Sequence, residues 1–99
     1  MKIIYTLHGI CFEWENEKAI ANMGKHGVSF ETACEIFFDP FVKTAEVQEV
    51  EGEVREVIVG MTTRWQILCV VHTVREEEHI RLISARKADP TQRRKYENQ

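Results

Sequence analysis

Trp65-Gln66-Ile67-Leu68-Cys69-Val70-Val71-His72-Thr73 is the stretch on which the fold turns. Nearly every side chain in it is apolar, the mark of a central strand covered on both faces rather than a surface strand with one wet side. It is far too short to cross a bilayer, so it reads as core. Upstream, residues 54–61 (Val-Arg-Glu-Val-Ile-Val-Gly-Met) form a strand of mixed alternation, joined to the first through a tight Thr62-Thr63-Arg64 connection. Residues 41–45 form a short strand before it, and residues 48–53 a polar, acidic connection with a turn at Gly52. Downstream, Glu76-Glu77-Glu78 reads as a charged turn into a last long strand over residues 79–86. Sequential strands with short connections predict an antiparallel meander of three to four strands, which must bury one face under helices.

The helices flank this block. Asn16 can cap a helix running to about Lys25, with Ala19, Ile20 and Met23 at helical spacing and Gly27 as a left-handed stop. Ser29 can cap a second, in which Phe30, Ala33, Cys34, Phe37 and Phe38 make one broad apolar face until Asp39-Pro40 ends it. Asp89-Pro90 starts a short basic helix through Tyr96. Residues 2–7 have strand composition and could pair at a sheet edge. The expectation is an α+β fold in one domain, residues 1–99: a small antiparallel sheet, two N-terminal helices and a short C-terminal helix.

Composition narrows the function. At 99 residues, 43% apolar and 29% charged, the chain supports one core about two layers thick and leaves no room for a doubly wound nucleotide-binding domain. Cys11, Cys34 and Cys69 form no CxxC pair, so neither a disulfide framework nor a zinc knuckle is suggested, and reduced thiols are expected. With no secretion signal, a cytoplasmic protein is the reading. No metal or cofactor motif occurs in the sequence, so none is expected. Net charge is −3, yet residues 79–96 alone carry +5 from Arg81, Arg86, Lys87, Arg93, Arg94 and Lys95 against Asp89. That end attracts phosphate. The first two helices are acidic, which disfavours a DNA-reading helix pair.

Cutting RNA without a metal requires a base for the 2′-hydroxyl, cations for the phosphorane and a proton for the leaving oxygen. The last two strands and terminal helix supply His72, His79, Arg81, Ser84, Arg86, Lys87 and Tyr96. Strict alternation divides them, with His79, Arg81, Ile83 and Ala85 on one side and Ile80, Leu82, Ser84 and Arg86 on the other. Arg81 and Arg86 then meet at one phosphate only if a bulge or the strand end intervenes. His72, near the end of an apolar strand, equally fits a hydrogen-bonded core residue. Arg64 could clamp phosphate or stand solvated on its turn. Trp14 and Trp65 could stack on bases, pack in the core or, with Phe41, face a partner.

Several blocks resemble one family. Phe12-Glu13-Trp14-Glu15-Asn16-Glu17-Lys18, Asn22, Lys25-His26-Gly27-Val28-Ser29-Phe30-Glu31, Ala33 and Phe37-Phe38-Asp39-Pro40 look like the opening of the BrnT family of type II toxins. Glu51-Gly52-Glu53-Val54-Arg55 through Gly60, Val70-Val71-His72-Thr73 and Ile80-Arg81-Leu82-Ile83-Ser84-Ala85-Arg86-Lys87-Ala88 follow in the same order, so the resemblance covers residues 12–97. It implies a RelE-like fold and a ribonuclease that cuts RNA and arrests translation. It also implies a cognate antitoxin of ribbon-helix-helix type encoded alongside, with DNA touched only through that antitoxin. By position it implies Arg81, Arg86, His72, Tyr96 and Ser84 as candidates for chemistry and Arg64 and Lys87 as phosphate contacts, while the charge of the basic terminal helix makes Arg93, Arg94 and Lys95 expected RNA contacts. The alternative is a non-catalytic, degenerate toxin that only binds a partner protein.

Overall fold

The computed structural model describes residues 1–74 and 79–99. In chain order it comprises strands β1 (Lys2–Leu7) and β2 (Ile10–Glu15), helices α1 (Asn16–His26) and α2 (Phe30–Cys34), and a 3-10 turn over Glu35–Phe38. Strands β3 (Lys43–Val50), β4 (Glu53–Met61), β5 (Ile67–Val74) and β6 (Ile80–Lys87) follow, then helix α3 (Pro90–Glu97). The expected turn at residues 76–78 lies outside the described residues.

The apolar stretch is the central strand it promised to be: β5 lies between β4 and β6 and buries Leu68, Cys69 and Val70. Trp65 does not belong to it. Trp65 sits in the preceding turn with φ +66°, 81% exposed, so the strand starts at Ile67. The sheet is larger than expected, six strands in the order β1-β2-β6-β5-β4-β3, and it is mixed. β1 and β2 form an antiparallel hairpin through His8-Gly9, both at positive φ, and β2 then runs parallel to β6, with Phe12 opposite Ile80 and Glu13 opposite Arg81. The two following helices are therefore not N-terminal. Glu15 and Glu17 draw the eye to the helix start, while Phe12, Glu13 and Trp14 carry the in-out-in alternation of a strand.

The acidic connection is also strand. Residues 48–50 continue β3, and Glu51-Gly52, at φ +51° and +81°, make the two-residue hairpin turn into β4. As an edge strand, β3 tolerates charge because most of it faces water. Helix α1 starts one residue after its cap at Glu15, with no side-chain cap bond, and ends at Gly27 in the left-handed conformation. Ser29 does cap α2, accepting from Thr32 N at 3.1 Å, but the helix tightens to 3-10 after Cys34.

Helices cover both faces of the sheet, which corrects the one-sided expectation. On the first face α1, α2 and the 3-10 turn bury Phe12, Trp14, Phe30, Ile36, Ile58, Leu68, Val70, Leu82 and Ala85. Trp14 is thus core, 2% exposed, and is not available to a partner. On the second face Ala88 and Tyr96, at the two ends of the α3 segment, pack on Val57, Val59 and Cys69. Only a glycine fits at position 60, because a Cβ there would stand 2.9 Å from the Ile36 Cβ and 3.2 Å from the Ile36 carbonyl oxygen.

Candidate active site

The register of β6 against β5 shifts between Val71 and His72, which oppose Ser84 and Leu82, so Ile83 is the extra residue of a bulge. A bulge resets alternation. Leu82 and Ala85 both enter the first-face core, while Arg81, Ser84 and Arg86, opposite Thr73, Val71 and Cys69, share the second face. The strict alternation expected from the sequence is corrected here. The bulge puts Arg81 and Arg86 on one face, at a Cα spacing along the strand of roughly 15 Å.

Asn22 holds this irregular segment. The residue is 7% exposed, and its amide donates to the Ala85 carbonyl at 2.8 Å and to the Val28 carbonyl at 2.9 Å, and accepts from Ala85 N at 3.1 Å. Beyond Arg81 β6 has no β2 partner, because β2 turns into α1. The Asn22 amide supplies the donor and acceptor that a neighbouring strand would have given.

Arg86 is anchored at the start of α3. Its Nη1 donates to the Lys87 carbonyl at 2.9 Å and to Gln92 Oε1 at 3.3 Å, and its Nη2 lies 4.0 Å from Asp89. The helix start is the one the sequence announced: Asp89 accepts from Gln92 N at 2.8 Å while Gln92 Oε1 accepts from Asp89 N at 3.0 Å. Gln92 Nε2 also reaches Cys69 Sγ at 3.4 Å. Burial, ahead of the nearby Arg86 charge and the Gln92 bond that oppose it, raises the Cys69 thiol, so it stays protonated.

The remaining predicted residues are scattered. His72 points the other way, into the first face, with its ring edge-on to Phe37 at 5.0 Å and its Nδ1 buried without a hydrogen-bond partner among the described residues. Burial lowers its proton affinity more than Glu56 raises it, so it is neutral at physiological pH. Tyr96 is on the second face, but its hydroxyl donates to Asp39 Oδ2. Burial first and the Asp39 bond second push its pKa up to about 12. Asp39 accepts as well from Phe41 N at 3.0 Å and Met61 N at 2.8 Å; burial pushes its pKa up, but these three bonds outweigh it and hold it below the ordinary value. Tyr96 therefore ties α3 to the body. Lys87 opposes Leu68 and so leans to the first face, exposed. Arg64 is exposed on the turn after β4. Arg93, Arg94 and Lys95 are exposed on α3, and Lys95 shares with Lys43, Gln92 and Tyr96 a cleft of about 310 Å³ between α3 and β3.

Other groups on the second face went unread in the sequence. Arg55 is half-buried on β4, with its Nε 3.2 Å from Glu53 Oε1. Glu13, paired with Arg81 across β2 and β6, has a side chain only 6% exposed and lies 3.2 Å from His79 Nδ1 and 3.7 Å from Lys2 Nζ. No sequence signal joins residues 13 and 79, because a parallel pairing across 66 positions leaves no local spacing. Among the described residues no group of three His, Cys, Asp or Glu side chains converges as a metal site. Nor is any helix of them long and apolar enough to cross a membrane.

These features define a class: a small α+β protein whose mixed sheet is packed by α1 and α2 on one face and carries arginines beside α3 on the other. A family model described as "Ribonuclease toxin, BrnT, of type II toxin-antitoxin system" matches residues 14–92, and the chain belongs to that family. The fold is similar to that of the Brucella abortus ribonuclease toxin BrnT, solved by crystallography at 1.1 Å, with a TM-score of 0.52 and 22% identity over 77% of this chain and 92% of that one. No curated protein sequence matches the chain. Family membership implies a cognate antitoxin as partner.

Proposed function

We propose that this chain is a metal-independent endoribonuclease of RelE-like type that cuts RNA through attack by the 2′-hydroxyl, arrests translation, and is silenced by a ribbon-helix-helix antitoxin through which the pair represses its own operon. The observation that carries this reading is the bulge at Ile83, which sets Arg81, Ser84 and Arg86 on one face of the sheet. Two guanidiniums there stabilise charge on the phosphorane, and the Ser84 hydroxyl can donate to a phosphate oxygen. Arg93, Arg94 and Lys95 on α3, with Arg64 on the β4–β5 turn and Lys87 at the rim, steer the polyanion by long-range attraction.

The net charge of −3 fits this division of labour, because the acidic surface elsewhere repels RNA from unproductive sites. The antitoxin then has a face of cations to mask, with the exposed Trp65 and Phe41 as apolar anchors. The test is cleavage of a defined oligoribonucleotide by purified protein in the presence of a chelator. Arg81→Ala and Arg86→Ala, each folded, are expected to lose about tenfold to a thousandfold. Cleavage at the parent rate by both variants would overturn the assignment, and failure of the parent to cut would favour a partner-binding module.

A further inference from the structure

His79 and Glu13 form a carboxylate–imidazole pair whose two members no sequence spacing joins. β2 and β6 run parallel for two residue pairs only, and that short contact brings Glu13 beside Arg81 on the second face. Phe12 and Trp14 on either side of Glu13 are locked in the first-face core, so the Glu13 carboxylate is fixed on the face that carries Arg81. Glu13 Oε1 stands 3.2 Å from His79 Nδ1, and Glu13 Oε2 stands 3.7 Å from Lys2 Nζ. A carboxylate only accepts, so this contact puts the neutral imidazole's proton on Nδ1 and makes Nε2 the nitrogen that carries the lone pair. The His79 side chain is 26% exposed, reachable by a substrate, while the Glu13 side chain is 6% exposed. The other two proton carriers are committed elsewhere: His72 is turned into the opposite face, and Tyr96 is bonded to Asp39.

Resting on the ribonuclease reading above, we propose that His79 is the general base of RNA cleavage and that Glu13 positions it. Nε2 takes the proton of the 2′-hydroxyl, and O2′ bonds to phosphorus while Arg81, two residues further along the chain on β6, faces the developing charge. The bond from phosphorus to O5′ breaks, O5′ leaves with a proton from water, and His79 returns its proton to water. The products are a 2′,3′-cyclic phosphate and a 5′-hydroxyl end. Glu13 touches no reacting atom; it sets the tautomer and stabilises the imidazolium, as a carboxylate does behind a catalytic histidine.

The probe is an end-labelled oligoribonucleotide cut by the full-length chain across a pH series. His79→Ala is expected to lose about a hundredfold to ten-thousandfold. Added imidazole is expected to restore part of that rate, which no merely structural role would allow. Glu13→Gln is expected to lose about tenfold to a hundredfold, and ¹⁵N spectra of the His79 ring are expected to move from the Nδ1–H form. Should Glu13→Gln unfold, His79→Gln, at the more exposed position, carries the test through loss of the acid limb of the pH–rate profile. If the parent cuts, Arg81→Ala does not, and His79→Ala cuts at the parent rate with its acid limb intact, the inference is wrong and the ribonuclease reading stands. If the parent does not cut at all, both fall together.

Discussion

Replacing Asn22 with alanine removes three hydrogen bonds at once and leaves the Ala85 N–H, the Ala85 carbonyl and the Val28 carbonyl without their partner. At about 1 kcal/mol for each bond the loss is about 3 kcal/mol, and it grows if the orphaned groups stay dry. That is a large part of the roughly 5–15 kcal/mol that holds a domain of this size. For a chain near one hundred residues each kcal/mol moves the midpoint by about 4–8 °C, so thermal unfolding is expected to fall by at least about 12 °C. Asn22→Asp is expected to fare no better, since it keeps the acceptor for Ala85 N but sets a carboxylate against two carbonyls. Circular dichroism gives the midpoint, and amide hydrogen exchange at Ala85 gives the local answer: that amide is expected to lose protection earlier than its strand neighbours. The consequence reaches function because Ala85 lies between Ser84 and Arg86. A midpoint within about 4 °C of the parent, with Ala85 still protected, would refute the view that Asn22 stands in for a strand beside β6.

Three further outcomes follow from the packing. Gly60→Ala is expected to cost about 1–3 kcal/mol, read by denaturant unfolding, because its Cβ would strike Ile36 on the helical layer. Tyr96→Phe is expected to cost about 1 kcal/mol at neutral pH. Asp39 titrates below its ordinary value in the folded chain and so adds stability above the ordinary value that is lost as pH falls from there through the lower folded value; urea midpoints across acid pH are expected to show a shallower acid loss in the variant. His72, held neutral by burial, likewise favours folding above its ordinary value and withdraws that support as pH falls below it, so His72→Phe is expected to flatten stability between about pH 7 and 5.

What could be read from the sequence was whatever rests on local chemistry. The Ser29 and Asp89 caps, the Gly27 stop, the apolar central strand and the basic end all follow from side chains acting on their own neighbourhood. What could not be read depends on distant pairing. The β1–β2 hairpin joins the sheet by a parallel contact with a strand more than sixty residues away, and that contact alone brings Glu13 to His79. The bulge at Ile83 is invisible in a strand of ordinary composition, yet it decides which face each arginine takes. The resemblance gave the family and pointed to Arg81, Ser84 and Arg86, which the bulge puts on one face. It also pointed to His72 and Tyr96, which the structure puts in the opposite core and in a bond with Asp39.

On the proposed function, the arginine-bearing face of the sheet destroys RNA. The most direct measurement is tightly controlled induction of this chain in bacteria beside the Arg81→Ala/Arg86→Ala variant, with total RNA followed over the first minutes. Growth arrest with RNA loss, relieved by the double substitution in a protein that is folded and equally abundant, is the predicted result. Normal growth with intact RNA on induction of the parent, or arrest that the double variant reproduces in full, would contradict it.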